Sequence, residues 1–202
     1  MTPLSEIYSF LHTAERLKNE LRHSFTSKGR QESVAEHTWR MTLMAMLIVP
    51  KLDKKVNFEK LLKMIVIHDI VEVFAGDTPV PFMVGNDALK EEKARKELEA
   101  IKEVRNRLGD VPGKEIEELW HEFEARESYE AKVANALDKL EVQVQHNEAD
   151  IATWIPVEYG LIYSRRPYTA FDPVMDELRR IIEQEAEEKL TAAGIPLQRP
   201  KE

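Results

Sequence analysis

The chain has 202 residues, enough for one sizeable domain with a single hydrophobic core. It contains no cysteine, so a disulfide scaffold and a thiolate metal site are both excluded. Its net charge of −8 makes it a poor general binder of the nucleic acid backbone, so duplex binding is not expected.

The predicted elements are helices, as expected for a chain that is 33% charged and has only 7 glycines. Apolar residues at helical spacing predict a first helix over Leu4–Leu21, and a polar loop follows over Ser24–Gln31. The capping box Ser33-Val-Ala-Glu36 predicts the start of the next helix. Further helices are predicted over Asn57–Ala75, Asn86–Leu108, Lys114–Ala125, Ser128–Ala149 and Asp172–Ala192. No segment shows a convincing period of two, so the predicted fold class is all-α.

The helices are expected to form a single domain over residues 1–202, with a core over about 4–192 and a loose tail over 195–202. The N-terminal segment has no basic stretch followed by an apolar core, so it does not resemble a signal peptide. The longest apolar run, Met41–Val49, is too short to span a bilayer. We therefore expect a soluble, cytoplasmic protein with no membrane partner.

Four residues in three separate segments could form a metal site: His37, the adjacent His68 and Asp69, and Asp138. Together they would offer two nitrogens and two oxygens to a divalent ion, which can generate hydroxide from water near neutral pH. Each residue alone has an ordinary explanation: a surface histidine, a capped helix end with an acidic patch, or a core salt bridge between Asp138 and a neighbouring lysine. The combination of all four favours the metal site.

The pattern His37 … His68-Asp69 … Asp138 resembles the HD-domain metal-dependent phosphohydrolases. The resemblance includes Glu32-Ser-Val-Ala-Glu-His37, His68-Asp-Ile-Val-Glu72-Val-Phe-Ala-Gly-Asp77-Thr-Pro79 and Ala136-Leu-Asp138-Lys-Leu, and it covers roughly residues 10–165. These segments are similar to the branch that contains the bacterial 5′-deoxynucleotidases and the eukaryotic HD-domain-containing protein 2.

The resemblance implies a helical HD fold in which His37, His68, Asp69 and Asp138 hold a divalent metal ion. It also implies hydrolysis of (deoxy)nucleoside 5′-monophosphates by a homodimer. Mn²⁺, Co²⁺, Fe²⁺, Ni²⁺ or Zn²⁺ suits this ligand set, whereas Mg²⁺ is less suited to two imidazoles. Only His121 lies between His68 and Asp138, so we expect one metal ion and not two.

The same resemblance implies roles for four more residues. Arg22 meets the substrate phosphate, a task for which a guanidinium has bidentate geometry and a permanent charge. Asp77 orients or deprotonates the attacking water, and Glu72 helps to hold the substrate or the metal-bound waters. The bacterial enzymes have a tryptophan at the position of His23 that helps to favour deoxyribose, so we expect weaker deoxy selectivity here. The ordinary alternatives are a helix-end Arg22, a turn-capping Asp77, a lysine-paired Glu72 and a loop residue at His23.

The sequence alone leaves two alternative functions open. One is hydrolysis of another phosphate ester, such as a nucleoside triphosphate or a cyclic dinucleotide; a triphosphate would require more cations than Arg22, Lys28 and Arg30 offer. The other is a non-catalytic protein that binds a metal or a nucleotide. The presence of all four predicted ligands and both accessory acids argues against a site that has lost its catalytic activity.

Overall fold

A computed structural model of the protein describes residues 2–200, and helices dominate this part of the chain. The predicted all-α class is confirmed. The α-helices are α1 (Pro3–Ala14), α2 (Val34–Ile48), α3 (Phe58–Ile67), α4 (Glu72–Ala75), α5 (Val80–Met83), α6 (Asp87–Leu108), α7 (Pro112–Ala125), α8 (Tyr129–Glu148), α9 (Glu158–Leu161), α10 (Arg166–Thr169) and α11 (Pro173–Ala192). Short 3₁₀ turns cover Glu15–Lys18, Val49–Lys51, Ile151–Thr153 and Ile162–Arg165.

A small antiparallel hairpin corrects two of the predicted boundaries. Its strands are β1 (Leu21–Phe25) and β2 (Gln31–Ser33), joined by a turn in which Gly29 has φ +77°. The first helix therefore ends at Ala14 and not at Leu21, and part of the predicted loop is strand. Strands this short are too brief to show an alternating pattern, which is why periodicity missed them. As a consequence, Arg22 and His23 lie on a strand.

The predicted helix over residues 57–75 is interrupted, which is a second correction. α3 ends at Ile67, and residues 68–71 form tight turns in which each bond spans three residues, such as Glu72 N–H to Asp69 O at 3.0 Å. The physical reason is a competing bond: His68 Nδ1 lies 2.7 Å from the carbonyl oxygen of Ile65, which would otherwise accept the amide of residue 69. His68 and Asp69 therefore lie at a break between two helices.

Apolar packing holds this break in place. Ile70 and Val71, from the turns after α3, are buried in a cluster with Phe10 of α1, Ile101 of α6 and Trp120 of α7. Since three helices pack on these turn residues, their packing fixes the backbone around His68 and Asp69.

The central helix of the fold is α8, which packs against α2, α3, α7 and α11. Its residues Val133 and Leu137 join Met41 of α2 and Leu61 of α3 in the main hydrophobic core. Asp138 is carried on this helix and is only 6% exposed. The core thus holds the three segments that carry the predicted metal ligands in one place.

The remaining predicted helix starts agree with the structure to within two residues. Ser33 forms the predicted capping box, and Ser128 and Asp172 accept backbone N–H bonds as N-caps of α8 and α11. α7 begins at Pro112 and not at Lys114, because proline is well tolerated in the first helical turn.

Residues 193–200 form no helix or strand after α11, but several of them make contacts. Ile195 and Leu197 pack against a cluster that contains Trp154, and Arg199 Nη2 lies 2.7 Å from a carboxylate oxygen of Glu187. The last two residues of the predicted loose tail lie outside the described part, and the single domain over 1–202 stays a prediction. None of the helices in residues 2–200 combines the length and apolar character of a membrane span.

We expect Gly113→Ala to destabilise the fold, although alanine has the higher helix propensity. A Cβ at Gly113 would lie 2.6 Å from the carbonyl oxygen of Arg105, where α6 and α7 pack together. The resulting shift of backbone should cost about 1–3 kcal/mol, measured by urea unfolding. The matched control is Gly160→Ala, whose Cβ meets only the flexible side chain of Gln198. A Gly113→Ala protein as stable as the parent would contradict the packing described here.

Candidate metal centre

Two buried histidines meet at the centre of the molecule. His37 lies in the second turn of α2 and is 0% exposed, and His68 follows the last residue of α3 and is 2% exposed. Their ring centroids are 5.5 Å apart. The capping box at the start of α2 and the bond from His68 to Ile65 position the two rings.

Each imidazole is fixed through its Nδ1 atom. His37 Nδ1 contacts a carboxylate oxygen of Glu141, and His68 Nδ1 contacts the carbonyl oxygen of Ile65. Both partners can only accept, so Nδ1 carries the proton in each ring. Metal-binding histidines in proteins are oriented in this way by a carboxylate or a carbonyl group. The Nε2 atoms of both rings are buried and have no partner in hydrogen-bonding geometry.

The two predicted aspartates face these free nitrogens. An Oδ2 atom of Asp69 lies 3.0 Å from His68 Nε2, and an Oδ1 atom of Asp138 lies 3.2 Å from His37 Nε2. Ligand atoms of His37, His68 and Asp69 all lie within 4.8 Å of one another. The structure therefore brings the four predicted ligands together, and their two nitrogens and two oxygens could hold a divalent transition metal ion.

The charge balance also suits a cation. Burial and the Arg22 charge both lower the pKa of His37, but Glu141 and Asp138 outweigh them and raise it to about 9. The pKa of Asp69 falls below its usual range, since His68 and Arg22 outweigh the effect of burial. In the metal-free chain a proton on His37 therefore balances part of the acidic charge, and a bound ion would replace that proton.

Lysine and arginine side chains supply the rest of the balancing charge. Lys139 Nζ lies 2.8 Å from Asp138 Oδ2, so the salt bridge considered for Asp138 is present beside the histidine contact. Arg22 Nη1 lies 3.2 Å from Asp69 Oδ2, and its Nε lies 3.8 Å from Glu32. Arg22 is a partly buried strand residue on the wall of the site, so the alternative of an exposed helix end is excluded.

The two predicted accessory acids line the same cavity. Glu72 is 4% exposed, and its Oε2 atom has no hydrogen-bond partner. Burial, with the nearby charges of Asp69 and Asp77, raises the pKa of Glu72 well above its usual value. Asp77 follows Gly76, which has φ +73°, and its backbone N–H donates to Glu20 at 2.9 Å. Burial raises the pKa of Asp77 as well, although Arg22 lowers it.

The cavity next to these groups has a volume of about 700 Å³, within the range of small-molecule sites. Asp69, Asp138 and His23 all line this cavity. The His23 ring is 5.4 Å from that of Phe82, and its Nε2 lies 3.6 Å from a carboxylate oxygen of Glu158. His23 is therefore a cavity residue and not a loop residue.

Sequence reasoning missed the groups that support the metal ligands. Glu141 is fully buried between His37 and Arg40, whose Nε donates to it at 2.6 Å. Glu141 follows Asp138 by three residues and shares its helix face, so its spacing was an available signal. Glu32 was part of the motif, but no role was assigned to it.

Glu32, His37 and Glu141 form a second group with the composition of a metal site. Arg40 lies between these acids: its Nε contacts Glu141, and its Nη2 lies 3.9 Å from Glu32. Since a guanidinium already supplies the positive charge, this group supports the ring of His37 and does not compete for the ion. His121, the remaining histidine considered for a second ion, is exposed on α7.

We expect Asp69→Ala to lose its bound metal while the helical signal stays. Removal of an outer partner of a metal ligand typically lowers metal affinity by about 10- to 100-fold. Removal of the ligand Asp69 itself should lower metal affinity by more than this. Elemental analysis and circular dichroism measure the two properties, and Asp87→Ala, on the exposed start of α6, is the control. Full metal occupancy in Asp69→Ala would refute its assignment as a ligand.

Comparisons with known proteins agree with the geometry. A model of the HD domain family matches residues 14–179. The chain is 34% identical over 144 residues to human 5′-deoxynucleotidase HDDC2, which covers 70% of this chain and 67% of that protein. It is 36% identical over 146 residues to the 5′-deoxynucleotidase YBR242W of Saccharomyces cerevisiae, covering 69% and 58% of the two chains.

Solved structures show the same architecture. A predicted metal-dependent phosphohydrolase from Magnetospirillum magnetotacticum has a TM-score of 0.76 and 28% identity, with 95% of this chain and 97% of that chain covered. A conserved hypothetical protein from Pyrococcus furiosus, with a TM-score of 0.66 and 24% identity over 89% and 99% of the two chains, shares the fold. With a family model that matches most of its length and relatives above 30% identity, the chain belongs to the HD domain family.

Proposed function

We propose that this protein is a metal-dependent phosphomonoesterase that hydrolyses (deoxy)nucleoside 5′-monophosphates to nucleoside and phosphate. The observation that carries the proposal is the pair of buried, unpartnered Nε2 atoms of His37 and His68, facing Asp69 and Asp138 at a cavity wall. The names of the relatives, 5′-deoxynucleotidases and a metal-dependent phosphohydrolase, support the substrate class.

His37, His68, Asp69 and Asp138 would hold one divalent ion. When bound, such an ion supplies a water of lowered pKa and polarises a phosphate oxygen. The two imidazoles favour Mn²⁺, Co²⁺, Fe²⁺, Ni²⁺ or Zn²⁺ over Mg²⁺.

Arg22 is the residue that we assign to the substrate phosphate. In the metal-free chain its guanidinium pairs with Asp69. A metal ion on Asp69 would neutralise that carboxylate and leave the Nη atoms of Arg22 available to a phosphate group. A guanidinium so placed can donate two parallel hydrogen bonds and offset the charge that develops on the phosphate.

Asp77 and Glu72 would handle water and protons. Asp77 is held by a stiff turn, between Gly76 and Pro79, so its carboxylate can orient the attacking water. Burial raises the pKa of Glu72 well above its usual value, which favours the protonated carboxyl, a form that can donate a hydrogen bond to the substrate. Neither role requires a covalent bond to the protein.

The remaining proposals concern the molecule as a whole. On α2 the side chains of Trp39, Leu43, Met46 and Leu47 are exposed and share one face of the helix. Such an apolar stripe is typical of a protein–protein interface and supports the proposed homodimer. We also propose that the protein is cytoplasmic.

A turnover screen tests the proposed function most simply. The metal-stripped protein is given each divalent ion in turn and then a panel of nucleoside monophosphates, and released phosphate is measured. We expect 5′-monophosphates to be hydrolysed faster than 3′-monophosphates. No release from any 5′-monophosphate with any of the ions would refute the proposal.

We expect Asp77→Ala to keep its metal but to lose most of its turnover. Asp77 lies outside the four-ligand set, and loss of a group that orients or deprotonates water typically costs about 10²- to 10⁴-fold in rate. Metal content and kcat are both measured, with the exposed Asp110→Ala as the control. If Asp77→Ala loses metal together with activity, Asp77 is a ligand and the proposed role is wrong.

We expect weak deoxy selectivity, and we expect His23→Trp to increase it. An indole adds apolar surface that excludes a 2′-hydroxyl, an effect of about 1–3 kcal/mol. The measurement is the ratio of kcat/KM for matched deoxyribo- and ribonucleotides in the parent, in His23→Trp and in the control His12→Trp on the exposed face of α1. Strict selectivity in the parent, or an unchanged ratio in His23→Trp, would remove this role from His23.

A further inference from the structure

Arg165 is a cation in the cavity that has no acidic partner in the part of the chain that the structure describes. It ends the 3₁₀ turn Ile162–Arg165, is partly buried, and lines the cavity together with Ser164. Its Nη1 donates to Ser164 Oγ at 2.9 Å. Within residues 2–200, no carboxylate oxygen lies within the 4.0 Å of an ion pair with Arg165, whereas Arg22 on the same wall has two.

The environment of Arg165 leaves its charge poorly balanced. Burial is the largest influence and lowers the pKa of Arg165 to about 10, while Glu158, Tyr168 and Asp138 oppose this effect at longer range. A partly buried guanidinium whose bond is to a neutral hydroxyl, with no acidic group to balance its charge, loses part of its hydration at a cost in free energy. An anionic ligand in the cavity would recover that cost, since charge-assisted bonds to a guanidinium are among the strong ones.

One wall of the cavity is formed by α8, and Arg165 lies near this helix. Asp138, Val142 and His146 follow one another at four-residue spacing and all line the cavity, so its wall extends about 12 Å along this helix. Asp138 lies at the metal end, and His146 bonds Glu158 at the other end with 2.9 Å between Nε2 and Oε1. The 3₁₀ turn that ends at Arg165 packs against α8, so Arg165 lies beside this wall.

Other cations surround the same part of the cavity. Lys139 lies 6.0 Å and Arg126 lies 5.4 Å from the centre of the Tyr168 ring, and all three residues line the cavity with Arg165. The sequence had suggested only three cations near the site. Arg30, one of those three, instead pairs with Glu36 at 2.7 Å. The cavity wall therefore carries cations that the sequence did not suggest.

We propose that Arg165 forms an anion subsite that binds a second phosphate group of a nucleotide whose 5′-phosphate lies at the metal centre. The proposal rests on the proposed function for the location of the first phosphate. It adds nucleoside bisphosphates and diphosphates to the ligands of the cavity. The second phosphate can be on the sugar, as in a nucleoside 3′,5′-bisphosphate, or in line, as in a 5′-diphosphate.

Binding of non-hydrolysable ligands tests the proposal without turnover. The probes are a nucleoside 5′-phosphonate, in which carbon replaces the bridging oxygen, the same compound with a 3′-phosphate, and the matching non-hydrolysable 5′-diphosphate analogue. Calorimetry on the metal-loaded full chain gives the Kd of each probe. The proteins are the parent, Arg165→Gln, Arg165→Lys and the neighbouring Arg166→Gln, whose side chain is exposed and outside the cavity.

We expect a second phosphate to lower the Kd of the parent by about 10- to 100-fold, the range for a hydrogen bond to a charged group. Arg165→Gln should lose this gain, Arg165→Lys should keep part of it, and Arg166→Gln should keep all of it. The probe whose affinity increase depends on Arg165 shows whether the second phosphate is on the sugar or in the 5′-diphosphate. Equal Kd values with and without a second phosphate, or a gain that survives in Arg165→Gln, would overturn the proposal.

Two further measurements distinguish failure of the anion subsite from failure of the proposed phosphatase function. Each variant is also tested for hydrolysis of a plain 5′-monophosphate and for thermal unfolding. Loss of hydrolysis in the parent with an intact Arg165-dependent gain would reject the phosphatase and keep the subsite. Normal hydrolysis without any gain would keep the phosphatase and reject the subsite.

Discussion

The site depends on the way in which two buried histidines are held by their Nδ1 atoms. Glu141 holds His37 and the carbonyl of Ile65 holds His68, so both Nε2 atoms point into the same space. The bond to Ile65 also ends α3 and produces the turn that directs Asp69 to the site. Because α8 carries both Glu141 and Asp138, one helix positions a ligand and the support of another ligand.

This arrangement concentrates acidic groups at one place. The carboxylates of Asp69, Asp138, Glu72 and Asp77 lie around one cavity wall, and the chain balances them with Arg22, Lys139 and a proton on His37. A divalent ion held by the four predicted ligands would neutralise Asp69 and Asp138 and so replace part of this balancing charge. Arg22, no longer needed to balance Asp69, would then be available to bind phosphate.

The sequence predicted those parts of the molecule that depend on neighbouring residues. Helix starts with a side-chain cap, such as Ser33 and Ser128, were found because the cap and its amide lie three residues apart. The break after Ile67 was missed because an apolar stripe continues through it, and the deciding contact is made by a side chain to the backbone. Glu141 supports His37 across 104 residues. Within residues 2–200, tertiary packing gives Arg165 the hydroxyl of Ser164 as a partner and no carboxylate. Local patterns carry neither kind of information.

The most direct measurement is a crystal structure of the protein soaked with Mn²⁺ or Zn²⁺, with anomalous diffraction recorded at the absorption edge of the metal. We expect one strong peak at about 2.0–2.2 Å from Nε2 of His37 and His68 and from a carboxylate oxygen of Asp69 and Asp138. Arg22 should then have separated from Asp69. A peak among Glu32, His37 Nδ1 and Glu141, or no peak beside the four residues at full soaking, would contradict the account.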